Sequence, residues 1–172
     1  DGSEQPFPEW MHDQTLTSAM QDSVNWYFQN LDRQMGLPAL ASYYSRIGYG
    51  NCDLSGGAGN YWSNSLAISP LEQVRLLSEL LSNTWDFASE NILAVKDAML
   101  LSEHSVSGGR LYGKTGTSNP DGGTQSGWFV GFLETGETTY CFAVNLQGEG
   151  CDGSTAADVA LQSLTTMLSR TE

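Results

Sequence analysis

Tyr112-Gly113-Lys114-Thr115-Gly116-Thr117, with the apolar run Gly127-Trp128-Phe129-Val130-Gly131 that follows it, is the stretch whose reading decides the fold. Both segments read as strands bounded by glycine. Side chains alternate between the faces of a strand, so Lys114 and Gly116 share one face and Thr115 takes the other, unless twist or a bulge re-aims it. Glycine at 116 removes a side chain and lets a ligand lie close against the backbone. Lys114 offers a positive charge to a carboxylate, and the amide N–H near Thr117 can point at a developing oxyanion. The pattern describes a site for an anionic substrate with a reactive carbonyl. A Lys-Thr-Gly run is weak evidence alone and needs partners elsewhere in the chain.

Outward from this stretch, Arg110–Thr117, Ser126–Glu134 and Thr138–Leu146 are predicted as strands, the last two joined by a tight hairpin at Thr135-Gly136-Glu137. Asn119-Pro120-Asp121-Gly122-Gly123 is a longer, mobile connection. A closing helix is predicted over 154–169, with Ala157, Val159, Ala160, Leu161, Leu164 and Leu168 apolar. Upstream the periodicity is helical. It runs from Leu16 through Met20, Trp26 and Leu31 to Met35, stopping at Gly36 with Pro38 beyond. A second helix covers Ala39–Arg46. Tyr49-Gly50-Asn51 and the glycine-rich run 55–60 form a loop with Tyr61-Trp62 as its apolar anchor. Ser69-Pro70-Leu71-Glu72 is a helix start with its capping box. The helix it opens carries Leu71, Val74, Leu77, Leu80 and Leu81 on one face. A further helix spans Glu90 to Leu101, broken by Gly108-Gly109. The fold class is α+β: an antiparallel sheet flanked by helices, in a single domain over 1–172.

Composition narrows the function. The net charge is −13, with two lysines, Lys96 and Lys114, and five arginines, too few cations for a nucleic-acid surface. No run of eighteen apolar residues is present, so no membrane-spanning helix is expected within the sequence. Cys52, Cys141 and Cys151 lack CxxC spacing and His12 and His104 lie far apart, so neither a metal site nor a cofactor is expected. A Cys141–Cys151 disulfide is an alternative to free thiols in an oxidising compartment.

Ser23-Val24-Asn25 places a hydroxyl and an amide two positions apart. They do not share a face of one continuous helix, so a break there is needed to aim both into one cleft. That element and Lys114-Thr115-Gly116 resemble two of the three motifs of penicillin-binding proteins and serine β-lactamases. The likeness extends to Ser23–Phe28, Tyr49-Gly50-Asn51, Ser69–Val74, Lys114–Thr117 and Gly127–Gly131. Together these resemble class D β-lactamase-type domains, and most closely the extracellular sensor domains of BlaR/MecR β-lactam receptors. The resemblance implies a transpeptidase-like fold and a serine acyl-transfer site for β-lactams or peptidoglycan-like ligands. In it Ser23 passes a proton to the departing lactam nitrogen, with Asn25 beside the base lysine. Lys114 steadies the proton network and the substrate carboxylate, and Thr115 bonds the same anion along the Gly116 strand. The Thr117 amide gives half of the oxyanion hole, and Trp62 resembles the tryptophan that packs near the base. It also implies a membrane-anchored parent, at the outer face of the cell membrane, or a secreted or periplasmic protein.

Two departures qualify the match. The sequence has no Ser-x-x-Lys: three residues before Lys96 and Lys114 stand Leu93 and Leu111. The nucleophile, the base and the sheet's N-terminal strands are then expected before Asp1. Hydrolytic class D enzymes resemble Ser-x-Val where Asn25 stands here. A carboxylated lysine persists best in an apolar pocket, so an amide there favours a lasting acyl-enzyme, hence a sensor over a hydrolase. The stretch 148–158 also lacks the arginine that many hydrolytic relatives carry. A class D hydrolase and a non-acylating binding module are the alternatives. Glu79 and Asn83, spaced as in the acidic loop of class A enzymes, read as a solvated helix face.

Overall fold

A computed structural model describes residues 5–106, 108–119, 125–136 and 138–170, without the side chains of residues 102–105. These residues group into two compact units, one of residues up to 67 together with 86–99, the other of 68–85 and 100 onward.

The first unit is helical. After a 3₁₀ turn at Pro8–Met11 come α1 (Leu16–Gln21), α2 (Asn25–Met35), α3 (Leu37–Ile47), the single turn α4 (Tyr61–Asn64) and α6 (Ser89–Ala98). The helix predicted from Leu16 to Met35 is two helices. Ser23 sits between them with φ 55°, a left-handed conformation that ends α1. Periodicity alone did not place this break, because the apolar spacing runs through it; the need to aim Ser23 and Asn25 together did suggest one. Thr15 and Ser18 cap α1 reciprocally, and Val24, fully buried, donates its N–H to the Ala19 carbonyl at 2.8 Å. Gly36, at φ 75°, separates α2 from α3, as its position before Pro38 leads one to expect.

The second unit holds the sheet: β1 (Leu100–Val106), β2 (Gly109–Ser118), β3 (Ser126–Thr135) and β4 (Thr138–Gln147), all antiparallel in that order. The three predicted strands are present. β1 is an addition: the predicted helix stops at Ala98, and Gly108 lies in the β1–β2 turn instead of ending a helix. Leu100–Val106 lacks clean alternation, and pairing with β2 at Tyr112, Arg110 and Gly109 makes it a strand. Thr135 pairs with Thr138 across the β3–β4 turn, with Gly136 at φ 57° and Glu137 outside the described residues. Of the predicted connection 119–123, residues 120–123 likewise fall outside them.

Helix α7 (Gly153–Leu168) buries Ala156, Ala160 and Leu164 against Val106, Leu111, Phe129 and Leu133. Burying each large side chain contributes about 1.5–3 kcal/mol, so these contacts fix which strand face turns inward. Leu111 and Phe129 meet α7, and the even-numbered β2 residues take the other face, where Tyr112 stacks on Phe132 with ring centroids 4.5 Å apart. Helix α5 (Pro70–Leu81) lies along β3 and β4. Its capping box forms as predicted, with the Glu72 carboxylate accepting from the Ser69 N–H at 2.8 Å. Its buried residues are Leu76 and Leu77, whereas Leu71 is 80% exposed. Leu71 sits in the first turn and points away from the sheet that the rest of the face meets.

The three cysteines are free. Cys141 lies near the start of β4 and Cys151 beyond its end, so the strand from Cys141 to Gln147 separates them by roughly 20 Å. The disulfide considered from sequence is therefore ruled out by strand length.

Candidate active site

The two parts of the candidate site belong to different units. Lys114, Thr115, Gly116 and Thr117 lie in the second half of β2, paired with Val130, Phe129, Trp128 and Gly127. β1 meets β2 only between Gly109 and Tyr112, so from Gly113 onward no strand among the described residues pairs with the opposite edge. That half of β2 is an open strand edge, able to hydrogen-bond an extended ligand.

Gly116 differs from its neighbours. A Cβ built at Gly113 would run into the Phe129 ring at 2.6 Å, and one at Gly127 into the Asp152 carbonyl. Packing demands glycine at both. A Cβ at Gly116 would meet only Trp128 Cβ, at an ordinary 3.7 Å. Nothing among the described residues requires glycine there, and what its absence of side chain preserves is room over the strand.

Lys114 is half-buried beside that room and donates from Nζ to the Thr115 carbonyl at 3.0 Å. Burial pushes its ammonium below the ordinary lysine value. A desolvated ammonium held by one neutral carbonyl is ready to gain from an arriving carboxylate. Thr115 and Thr117 are exposed and occupy the α7 side of the strand. Gly153, first residue of α7, donates its N–H to Thr117 Oγ1 at 2.9 Å, and a Cβ there would meet Thr115 Cβ at 2.8 Å. The helix end is thus wedged against the strand. Asp152 caps it, accepting from the Thr155 N–H at 2.8 Å. This wedge escaped the sequence reading, although Asp152 three residues before Thr155 is a helix-start signal.

In the other unit, Ser23 holds the α1–α2 turn and Asn25 is the first residue of α2, exposed to solvent. A left-handed serine costs about 1–2 kcal/mol, which the surrounding bonds must offset. The loop after α3 is closed by Asn51. Its Oδ1 accepts from the Asp53 and Ala67 N–H groups at 3.1 and 3.0 Å, and its Nδ2 donates to the Ser65 carbonyl at 2.9 Å. Only half of the predicted Tyr61-Trp62 anchor is an anchor: Tyr61 is 3% exposed and Trp62 41%. The Tyr61 hydroxyl lies 3.0 Å from that of Tyr44 and hydrogen-bonds Asp32. Burial, then Tyr44, push the Tyr61 phenol well above its ordinary value, and burial raises the Asp32 carboxyl. A buried phenol needs such partners, which turns Tyr61 inward and Trp62, its neighbour on a single helical turn, outward. Glu79 lies on α5 and pairs with Arg75 across one turn at 2.7 Å, as a helix-face residue does, whereas Asn83 falls past the end of α5 at φ 51° and is not on that helix face. No cluster of metal-binding side chains occurs among the described residues.

This combination of helices, antiparallel sheet and Lys-Thr-Gly strand is that of the serine β-lactamases and penicillin-binding proteins. The family model of the penicillin binding protein transpeptidase domain matches residues 1–165, and the chain belongs to that family. It is 49% identical over 166 residues to the regulatory protein BlaR1 of Bacillus licheniformis, covering 95% of this chain and 27% of that protein. The solved C-terminal domain of the Bacillus licheniformis BlaR penicillin-receptor superposes with a TM-score of 0.90 at 47% identity, over 97% of this chain and 68% of that one. The class D β-lactamase BAT-2 gives a TM-score of 0.85 at 38% identity, over 97% and 68%. The chain thus spans about a quarter of the length of the curated BlaR1 and MecR1 relatives it matches, and about half of that of the curated β-lactamases. No helix among the described residues is long and apolar enough to cross a membrane.

Proposed function

We propose that this chain is the C-terminal part of a sensor domain that binds β-lactams by serine acylation and signals by remaining acylated. The observation that carries the reading is the open β2 edge, with unobstructed room over Gly116 beside the desolvated Lys114. Similarity to the BlaR penicillin-receptor domain supports the sensor role over others. In the proposed reaction a serine and a base lysine outside this sequence supply the nucleophile. The serine oxygen bonds to the lactam carbonyl carbon and gives its proton to the base. The carbon–nitrogen bond then breaks, and the nitrogen takes a proton through the Ser23 hydroxyl. Lys114 holds the substrate carboxylate, with Thr115 as a second donor. The Thr117 N–H and one further amide stabilise the oxyanion. In this reading Trp62 packs near the base, and the parent protein displays the domain outside the cell membrane.

The test joins the chain to its upstream residues and treats it with fluorescent penicillin. The joined domain retains label after denaturation, and the 172-residue chain alone does not. A covalent adduct on the chain alone would show the nucleophile to be misassigned. Similarity to BAT-2 favours one alternative, a class D hydrolase. Rapid turnover of a chromogenic cephalosporin by the joined domain would make that reading the correct one.

A further inference from the structure

We propose that Trp10 and Trp26 are positioning residues for Ser23, clasping the strained turn that carries it; the idea rests on the proton-transfer role proposed for Ser23. Asp22 closes α1, and its carbonyl is one of those that a helix C-terminus leaves without an intrahelical partner. The Trp10 indole N–H donates to that carbonyl at 2.9 Å. Trp26, in the first turn of α2, donates its own indole N–H to the Trp10 carbonyl at 3.0 Å. Two consecutive bonds therefore tie the end of α1, the segment around Pro8–Met11 and the start of α2. Ser23 lies inside this loop of bonds at φ 55°.

The local backbone holds the turn unevenly. The Val24 amide is firmly placed on Ala19, at 2.8 Å, but the Ser23 N–H reaches the Met20 carbonyl only at 3.4 Å. The serine itself is the loosely tied member, and its direction depends on where the Asp22 carbonyl is held. Indole suits that task, because its N–H is a donor only and its ring is rigid. The Phe7 ring stands edge-on to Trp10, centroids 5.2 Å apart, and steadies the donor. A non-glycine residue kept left-handed by surrounding bonds is a pattern that accompanies functional sites.

The experiment is a double-mutant cycle in the joined domain, with benzylpenicillin acylation followed as a second-order rate. Trp10→Phe keeps an aromatic ring and removes the N–H. It should slow acylation about tenfold, the scale of a small misplacement of a reacting group. Ser23→Ala should slow it roughly 10²-fold or more, the scale of a lost proton-transfer group. In the Ser23→Ala background, Trp10→Phe should change the rate by less than about twofold, because the group it positions is gone. Trp26→Phe repeats the cycle on the second bond and keeps the question answerable should Trp10→Phe not fold. An equal loss in both backgrounds, or none in either, overturns the clasp while leaving Ser23 in its role. A Ser23→Ala domain that acylates at the normal rate removes the role itself, and the clasp with it.

Discussion

At the scale of single residues, Lys114 carries the sharpest tension between stability and function. Its ammonium is desolvated, and its one partner among the described residues is a neutral carbonyl. Lys114→Met keeps the length of the side chain and removes the buried charge. The melting temperature should hold or rise, while acylation of the joined domain falls by roughly 10²-fold. A marked fall in melting temperature would mean that the lysine is there for structure. Asn25 poses the other residue-scale question. If its amide loosens a carboxylated base, Asn25→Val should leave acylation little changed and speed deacylation at least about tenfold. Single-turnover release of a bound penicillin, measured with added bicarbonate, decides it. Equal release rates would remove the chemical argument for sensor over hydrolase.

At the scale of elements, the α7 N-terminus is where helix and reactive strand depend on each other. The Gly153 N–H on Thr117 Oγ1 holds the helix end, and Asp152 caps it. Bonds from the Thr155 N–H and from the Ser154 and Thr155 hydroxyls hold the Asp152 carboxyl below the ordinary aspartate value. A carboxyl lowered by folding contributes stability above its unfolded pKa of about 3.9 and loses it as pH falls through the folded value. Thermal melts should therefore weaken as pH drops below about 4. Asp152→Asn should reduce that acid slope without abolishing it, since Glu72 and Asp53 are lowered in the same way. Asp152→Ala should lower the melting temperature at neutral pH, because it removes the cap on the Thr155 N–H. An acid slope identical in wild type and Asp152→Asn would place the acid-sensitive contacts elsewhere.

At the scale of the molecule, β4 is the edge of the sheet, ten residues long with neither a charge nor a proline. Proteins ordinarily blunt such edges, because unpaired backbone groups template association. We propose that strands outside this sequence, of the kind the family resemblance implies, are the partner of this edge. The 172-residue chain should then self-associate with concentration in light scattering, and the joined domain should remain monomeric. A chain that stays monomeric at high concentration would show that β4 needs no such partner.

The strands at 110–117, 126–134 and 138–146, the Ser69 capping box, the Gly36 stop and the closing helix were legible in the sequence. Each rests on local chemistry: alternation, a cap, or a glycine beside a proline. The resemblance of Ser23–Asn25 and Lys114–Thr117 to two known motifs named the family for the same reason, since motifs are local too. Tertiary packing decided the rest. Leu100–Val106 becomes a strand only because β2 offers it a register. Tyr61 turns inward because Tyr44 and Asp32 satisfy its hydroxyl, which leaves Trp62, the next residue on the same short turn, facing outward. Ser23 leaves the helix because Val24 has a core to enter and the Trp10 indole holds the Asp22 carbonyl across twelve residues of chain. Periodicity reports which residues prefer to be buried. It does not report which distant group completes a hydrogen bond, and those bonds set the direction of the side chains that do the chemistry.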